Sequence, residues 1–333
     1  MNFAIIGATG NVGRTTIQVL EKSKIEIDNL FLVASEKSAG QKLVFKKKEI
    51  IVEQLEKYDF SKAEITIFAA GSEIAKKWVP QASKKTIVID NSKYFRMNKD
   101  VPLVVAEVNP DDLMKHSNII ANPNCSTIQL MLPLKPLHDK YKIKRVVVST
   151  YQAVSGAGKS SVDELFAQTK DYLDNKKISS KNFTKQIAFN LIPHIDSFVE
   201  DGYTKEEWKM ENETKKILDK TIGLTATCVR VPVKTSHSES VNIEFENEYD
   251  LEIVKKILLN APGCKVIDEN KDGGYVTPLE AEGDYLTFIS RIRKDHSNNN
   301  ALNMWVVSDN LLKGAALNTV QIAECLMKKK LKV

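Results

Sequence analysis

The stretch "MNFAIIGATGNVGRTTIQVLEK", Met1–Lys22, joins an apolar run ending near Ile6, a turn with three glycines, and an amphipathic segment beginning near Asn11. Read in order these are a strand, a tight turn and a helix, the start of a βαβ unit. The alternation continues to about residue 125 through "LFLVAS", "ITIFAAG", "EIAKKWVPQA", "TIVIDN" and "NIIAN". Short β-branched runs alternating with helical ones predict an α/β, Rossmann-like, doubly wound parallel sheet. From "KRVVVSTYQAVSG" onward the strands lengthen ("GLTATCVRVPV", "SVNIEFE", "YLTFISRIRKD", "ALNMWVVSD") and helices become fewer. That texture predicts a second, α+β domain built on a mixed, largely antiparallel sheet. The last segment, "NLLKGAALNTVQIAECLMKKK", has helical spacing and lysines in its final turn, and is expected to pack back on the first domain. The domains are therefore drawn as 1–125 plus 311–333, and 126–310.

A chain of 333 residues, 42% hydrophobic, can bury about two cores. Its charge of +5 is modest, and the runs Lys46–Lys48 and Lys328–Lys330 lack interleaved aromatics, so they read as solvated faces rather than a nucleic-acid surface. Anionic small molecules suit the excess better. No apolar run approaches the roughly 20 residues of a membrane span, and the N-terminus lacks a leader pattern, which predicts a cytoplasmic protein. Cys125, Cys228, Cys264 and Cys325 are scattered, fitting neither a disulfide framework nor a metal site.

The glycine turn "GATGNVG", Gly7–Gly13, stands between a strand and a helix, where backbone N–H groups can approach a pyrophosphate. Gly7, Thr9, Gly10, Asn11 and Val12 are the candidate contacts, although the spacing is G-x-x-G-x-x-G rather than G-x-G-x-x-G. The second strand closes in "VASEKSAG", where Ser35, Lys37 and Ser38 suit the 2′-phosphate of NADP and Glu36 dissents. In "NPNCST" a proline turn delivers Cys125 to a helix start. There the positive dipole end favours thiolate and can hold a developing oxyanion. Pro133 is expected to kink or end that helix. A thiolate in a chain built for nicotinamide suggests aldehyde or acyl chemistry through a thioester. His237 is the base candidate: in "CVRVPVKTSHSESV" a strand ends in a Ser-rich turn, with Arg230 seven residues earlier.

Taken together, "GATGNVG", "SEKSAG", "DNSKYFRM", "VPLVVAEVN", "NPNCST", "YQAVSGAG", "EEWKMENETKKI", "CVRVPVKTSHSESV" and "DNLLKGAALN" resemble, in order and spacing, the aspartate-semialdehyde dehydrogenase family. The resemblance implies a nucleotide domain closed by the C-terminal helix, a catalytic and dimerisation domain, and a homodimer, with room for a tetramer. It implies that Cys125 carries an acyl thioester, that His237 is the acid/base, and that Gln152 orients the reacting carbonyl. Arg230 would take the substrate carboxylate, its planar fork suiting a bidentate contact. Glu206 would meet the substrate ammonium, Lys209 the phosphate or carboxylate, and Arg96 phosphate, with Asn124 beside the nucleophile. Ser155, Gly156 and Asn310 match positions approaching the nicotinamide half of the cofactor. Many relatives carry arginine where Lys37 stands, which leaves room for NAD as well as NADP. The implied reaction converts 4-phospho-L-aspartate to L-aspartate 4-semialdehyde. The rival readings are an N-acetyl-γ-glutamyl-phosphate reductase-like enzyme and a noncatalytic nucleotide-binding homologue.

Overall fold

The structure, a computed structural model, describes residues 1–330. Residues 331–333 and the side chains of Lys329 and Lys330 lie outside the described residues. Contacts divide the chain into two units: Met1–Pro123 with the segment from Ala315, and Asn124–Gly314. Asn124, Cys125 and residues 311–314 thus group with the second unit.

The first unit is a six-stranded parallel sheet built from β1 (Asn2–Ile6), β2 (Asn29–Ala34), β5 (Glu53–Gln54), β6 (Ile65–Phe68), β7 (Ile87–Asp90) and β8 (Ile119–Ala121). The order is β5-β2-β1-β6-β7-β8, so the chain runs outward from β1 in both directions. Residues 65–68 and 87–90 are buried throughout, the pattern of strands covered on both faces. Helices α1 (Asn11–Lys22) and α2 (Ser72–Ala82) follow β1 and β6. The C-terminal helix Leu317–Lys330 packs on α1 and β7, as expected from its pattern. Asn318 anchors it: its amide donates to Asn122 Oδ1 at 2.7 Å and to the Val104 carbonyl at 2.9 Å, while its Oδ1 accepts from Ala106 N–H. Between β2 and β5 lies an unexpected hairpin, β3 (Lys42–Phe45) and β4 (Lys48–Ile51). Its turn residues Lys46 and Lys47 have positive φ, a conformation that no Gly or Asn announced in the sequence.

The second unit carries a mixed sheet in the order β10-β9-β11-β14-β13-β12. The strands are β9 (Ile143–Gln152), β10 (Gly223–Arg230), β11 (His237–Phe245), β12 (Cys264–Val266), β13 (Thr287–Lys294) and β14 (Ala301–Ser308). The β9–β11, β11–β14 and β13–β14 pairs are antiparallel; the β9–β10 and β12–β13 pairs are parallel. Helix α3 (Cys125–Tyr141) packs on β9, β11, β13 and β14, and α5 (Lys205–Ile217) on β10. Pro133 does not end α3: the helix runs through both Pro133 and Pro136. Every residue from Ser126 to Leu134 is buried, so packing on all sides holds a backbone whose local preference is to break. The remaining helices are α4 (Lys159–Leu173), α6 (Leu251–Leu259) and the short α7 (Pro278–Ala281).

Candidate active site

The second unit collects its chemistry on the inner face of the mixed sheet. Arg230, the last residue of β10, pairs in register with Gln152, the last of β9. Continuing the Ser238–Tyr151 register puts His237 next to Gln152, and His237 pairs on its other side with Ser308. Period-two alternation then turns Arg230, Gln152 and His237 to the same buried face. The expected position of His237 in a turn is corrected here: it opens β11. Ser236, at φ 75°, reverses the chain before it, and Ser236 N–H donates to Asn310 Oδ1 at 2.9 Å.

Asn124 builds the start of α3. Its side-chain oxygen accepts from the N–H of Ser126 at 3.0 Å and of Thr127 at 3.3 Å, an N-cap that leaves Cys125 as the first helical residue. The capping box of Thr204 and Glu207 starts α5 and sets Glu206, Lys209 and Glu213 on one buried face. Glu206 accepts from the Asn124 amide at 2.8 Å and from Gln152 Nε2 at 3.2 Å, and pairs with Lys209. Glu213 accepts from the Asn124 backbone N–H at 2.6 Å. Lys209 lies 3.4 Å from Asp196 as well. An i,i+3 pair that in isolation would be a solvated surface contact is therefore buried beside the cysteine's helix start.

Ala153 links the other two groups. Its N–H donates to His237 Nδ1 at 3.0 Å, and its carbonyl accepts from Arg230 Nη1 at 2.7 Å. A neutral imidazole accepting at Nδ1 carries its proton on Nε2, and that buried nitrogen has no hydrogen-bond partner. A Cβ built on Gly156 would lie 3.1 Å from His237 Nε2 and 3.1 Å from Arg230 Nη1, so any side chain there would press this pair to give by a few tenths of an ångström. A Cβ on Gly314 would lie 2.7 Å from Cys125 Cβ. Ser155 Oγ donates to Asn310 Oδ1 at 3.1 Å, joining the Ser155–Gly156 turn to Asn310.

The charges follow from this packing. Burial alone would raise the Glu206 carboxyl, but Lys209, then Asn124 and Arg230, outweigh it and hold the pKa down to about 2. Burial, reinforced by the charge of Arg230, pushes the His237 imidazole down to about 3. Burial also lowers Arg230, against the opposing pull of Glu206, Cys125 and Cys228. The site thus holds a carboxylate, a guanidinium, an ammonium and a neutral imidazole around a half-buried thiol. Such a set can bind a zwitterionic substrate, orient a carbonyl and donate a hydrogen bond to an oxyanion.

In the first unit, Gly7 takes φ +85°, and a Cβ there would lie 2.6 Å from the Ala69 carbonyl oxygen. The turns after β1 and β6 therefore meet at the point where the strand order reverses, the ligand crevice of doubly wound sheets. A Cβ on Gly13 would fall 2.2 Å from the Gly7 carbonyl. Helix α1 starts at Asn11 with no side-chain cap and no acidic residue in its first turn, which suits an anionic pyrophosphate near Thr9, Gly10, Asn11 and Val12. Ser35 and Lys37 are exposed just past the end of β2, Ser38 is half-buried, and Glu36 is exposed in the same turn. Arg96, also in this unit, is buried and donates to the Asn91 carbonyl at 3.0 Å. Among the described residues no cluster of His, Cys, Asp or Glu could hold a metal ion.

Of the second-unit residues singled out from sequence, Asn124, Cys125, Gln152, Glu206, Lys209, Arg230 and His237 come together. Ser155, Gly156 and Asn310 lie beside His237. Glu213, Gln129 and Gly314 were missed. Seven-residue spacing from Glu206 could have found Glu213, and four-residue spacing from Cys125 could have found Gln129; nothing local marks Gly314.

Two family profiles match the chain: "Semialdehyde dehydrogenase, NAD binding domain" over residues 2–116 and "Semialdehyde dehydrogenase, dimerisation domain" over 134–313. The aspartate-semialdehyde dehydrogenase of Aquifex aeolicus (strain VF5) is 53% identical over 98% of this chain and 97% of its own. That of Rickettsia bellii (strain RML369-C) is 48% identical over 98% of each. Among solved structures, aspartate semialdehyde dehydrogenase II of Vibrio cholerae complexed with ASA aligns with a TM-score of 0.96 at 45% identity, covering 98% of both chains. The Candida albicans enzyme with NADP aligns at 0.77 and 27% identity over 99% of both. With two profiles spanning most of its length and relatives near half identity end to end, the chain belongs to the aspartate-semialdehyde dehydrogenase family.

Proposed function

We propose that this enzyme reductively dephosphorylates 4-phospho-L-aspartate, with NADPH, to L-aspartate 4-semialdehyde and phosphate, a step toward the aspartate-derived amino acids. The observation that carries the reading is the buried Glu206 carboxylate, within one hydrogen-bonded group with Asn124, at the start of the Cys125 helix. A free α-ammonium needs such a carboxylate. An acetylated amine does not, which argues against the N-acetyl-γ-glutamyl-phosphate reductase-like alternative.

The Cys125 thiolate attacks the acyl-phosphate carbonyl carbon, the carbon–oxygen bond to phosphate breaks, and an aspartyl thioester remains on sulfur. Arg230 takes the α-carboxylate, Glu206 the ammonium, and Lys209 with Arg96 the phosphate. Gln152 orients the carbonyl. The uncapped first turn of α1 and the Gly7–Gly13 turn fit a nucleotide pyrophosphate, and bound NADPH supplies the hydride that reduces the thioester. The thiohemiacetal then collapses, releasing aldehyde and regenerating thiolate. His237 presents Nε2–H, so its part is to hydrogen-bond the oxyanion that hydride addition creates and to release that bond as the oxyanion collapses to aldehyde and thiolate, the proton staying on the imidazole. Ser155, Gly156 and Asn310 line the nicotinamide side.

We assign NADP over NAD to Ser35, Lys37 and Ser38, with NAD as a second cofactor, and test it with Lys37→Ala. NADPH-supported kcat/KM should fall severalfold while NADH-supported turnover holds. We place the homodimer contact on the second unit, which carries the dimerisation-domain match and exposes Phe166, Tyr172, Leu173, Phe189, Leu191 and Phe198. A cytoplasmic setting fits the thiol state of the cysteines, and among the described residues no helix is long and apolar enough to cross a membrane. The deciding assay is phosphate-dependent NADPH formation from the semialdehyde: Cys125→Ala should abolish it and leave NADP binding intact. Turnover retained in that variant, or preference for N-acetyl-glutamate semialdehyde, would refute the reading.

A further inference from the structure

Glu239 lies two residues beyond His237 on the same face of β11, opposite Thr150 of β9 and Val306 of β14. It is fully buried, and neither carboxyl oxygen receives a hydrogen bond of full geometry, although the Gln129 amide comes close enough to act on it. The polar side chain beside it is Gln129, one turn along α3 from Cys125. Gln129 Nε2 donates to the His237 carbonyl at 3.3 Å, while Gln129 Oε1 is itself buried without a donor. Turning the amide over would give Glu239 a donor but set Oε1 against the His237 carbonyl, acceptor against acceptor. One proton on a carboxyl oxygen, donated to Gln129 Oε1, partners two of these three atoms and removes the charge from the third.

The surroundings oppose a charge. Thr150 and Gln152 face this interior from β9, Cys228 and Arg230 from β10, His237 from β11, Ser308 from β14, and Cys125 and Gln129 from α3. The Cys228 thiol is pushed up by burial and by the charges of Glu206 and Glu207, so the anions of α5 already act on this interior. A further anion there would oppose both a thiolate at Cys125 and an anionic substrate.

We propose that Glu239 is kept as a neutral carboxylic acid that donates its O–H to Gln129 Oε1, and that it is a positioning residue for Cys125 and His237. The chain of acid, amide and His237 carbonyl ties the strand bearing the imidazole to the helix bearing the thiol. The functional part of this inference rests on the acyl-transfer reading above.

The test compares wild type with Glu239→Gln and Glu239→Ala. The infrared difference spectrum of wild type minus Glu239→Gln at pH 7 to 8 should show the carbonyl stretch of a protonated carboxylic acid. Glu239→Gln, whose amide can still donate to Gln129, should keep kcat within about threefold, whereas Glu239→Ala should lose about tenfold or more in kcat with little change in KM. The pH profile of Cys125 alkylation should coincide in wild type and Glu239→Gln. Absence of the acid band, or an alkylation profile moved to lower pH in Glu239→Gln, would overturn the proposal by showing an ionised Glu239. If Glu239→Ala does not fold, the band and the Glu239→Gln profile decide. Both are read without substrate, so they stand apart from failure of the functional reading, which the Cys125→Ala assay reports.

Discussion

The Ala153 N–H donates to His237 Nδ1 at 3.0 Å, which fixes the neutral imidazole with its proton on Nε2. The Ala153 carbonyl accepts from Arg230, so one peptide group orients both the imidazole and the guanidinium. This bond follows from strand register: Ala153 directly follows the last residue of β9, and His237 is the first of β11.

With burial and Arg230 holding its pKa near 3, His237 stays neutral over the working range. Nitrogen NMR of labelled imidazole should report the Nε2–H tautomer unchanged from pH 8 to 5, and the rate should show no limb near pH 6.5 that His237→Gln removes. The sign for stability follows. The folded pKa lies below the ordinary 6.5, so this group's contribution is complete above that value and is lost as pH falls from 6.5 toward 3. Acid unfolding should therefore begin at lower pH in His237→Gln than in wild type.

Gly156→Ala places a methyl 3.1 Å from His237 Nε2 and from Arg230 Nη1. The turn or the His237–Arg230 pair must give by a few tenths of an ångström, so kcat should fall about tenfold, since a misplacement of about 1 Å can cost about a hundredfold. The thermal midpoint should change by no more than a few degrees. A large loss of midpoint with kcat preserved in the folded fraction would mean that the glycine serves the turn rather than the site.

Removing one member of the buried Glu206–Lys209 pair leaves the other uncompensated, at about 3–5 kcal/mol for a fully buried pair. The two substitutions should differ. Glu206→Gln leaves Lys209 with Asp196 at 3.4 Å, whereas Lys209→Met leaves Glu206 with only the Asn124 and Gln152 amides and the Arg230 charge. Urea unfolding should show Lys209→Met to be the more destabilised. Glu206→Gln should instead raise KM for the semialdehyde at least tenfold, and because Glu206 titrates near 2, wild-type KM should carry no Glu206 limb between pH 8 and 5.

Gly13→Ala sets a methyl 2.2 Å from the Gly7 carbonyl, so the turn before α1 must open. NADPH affinity, followed by its fluorescence, should drop at least tenfold, while the rate of Cys125 alkylation, read in the other unit, should stay at the wild-type value. Slowed alkylation would indicate general misfolding instead.

Periodicity carried much of the architecture. The continuous apolar runs at β1, β6 and β7 and the amphipathic segments after the first two could only be a covered parallel sheet, and Asn124 before Cys125 marked a helix start. The α3 prolines misled because local chain preference is weak against burial on every side. The Lys46–Lys47 hairpin escaped notice because its left-handed turn lacks the usual glycine or asparagine.

The sequence by itself determined the elements, the glycine turn and the reactive cysteine at a helix start, because dihedral preference, dipole and alternation are properties of neighbours in the chain. Only the tertiary structure decided which distant groups share a charge environment. It buried Glu206 and Lys209 together, brought Glu213 to the Asn124 backbone, turned His237 from a supposed turn into a strand end and buried Glu239 beside Gln129. Burial and cross-strand register depend on segments about a hundred residues apart, and the energy of a charge is set by what surrounds it rather than by its place in the chain.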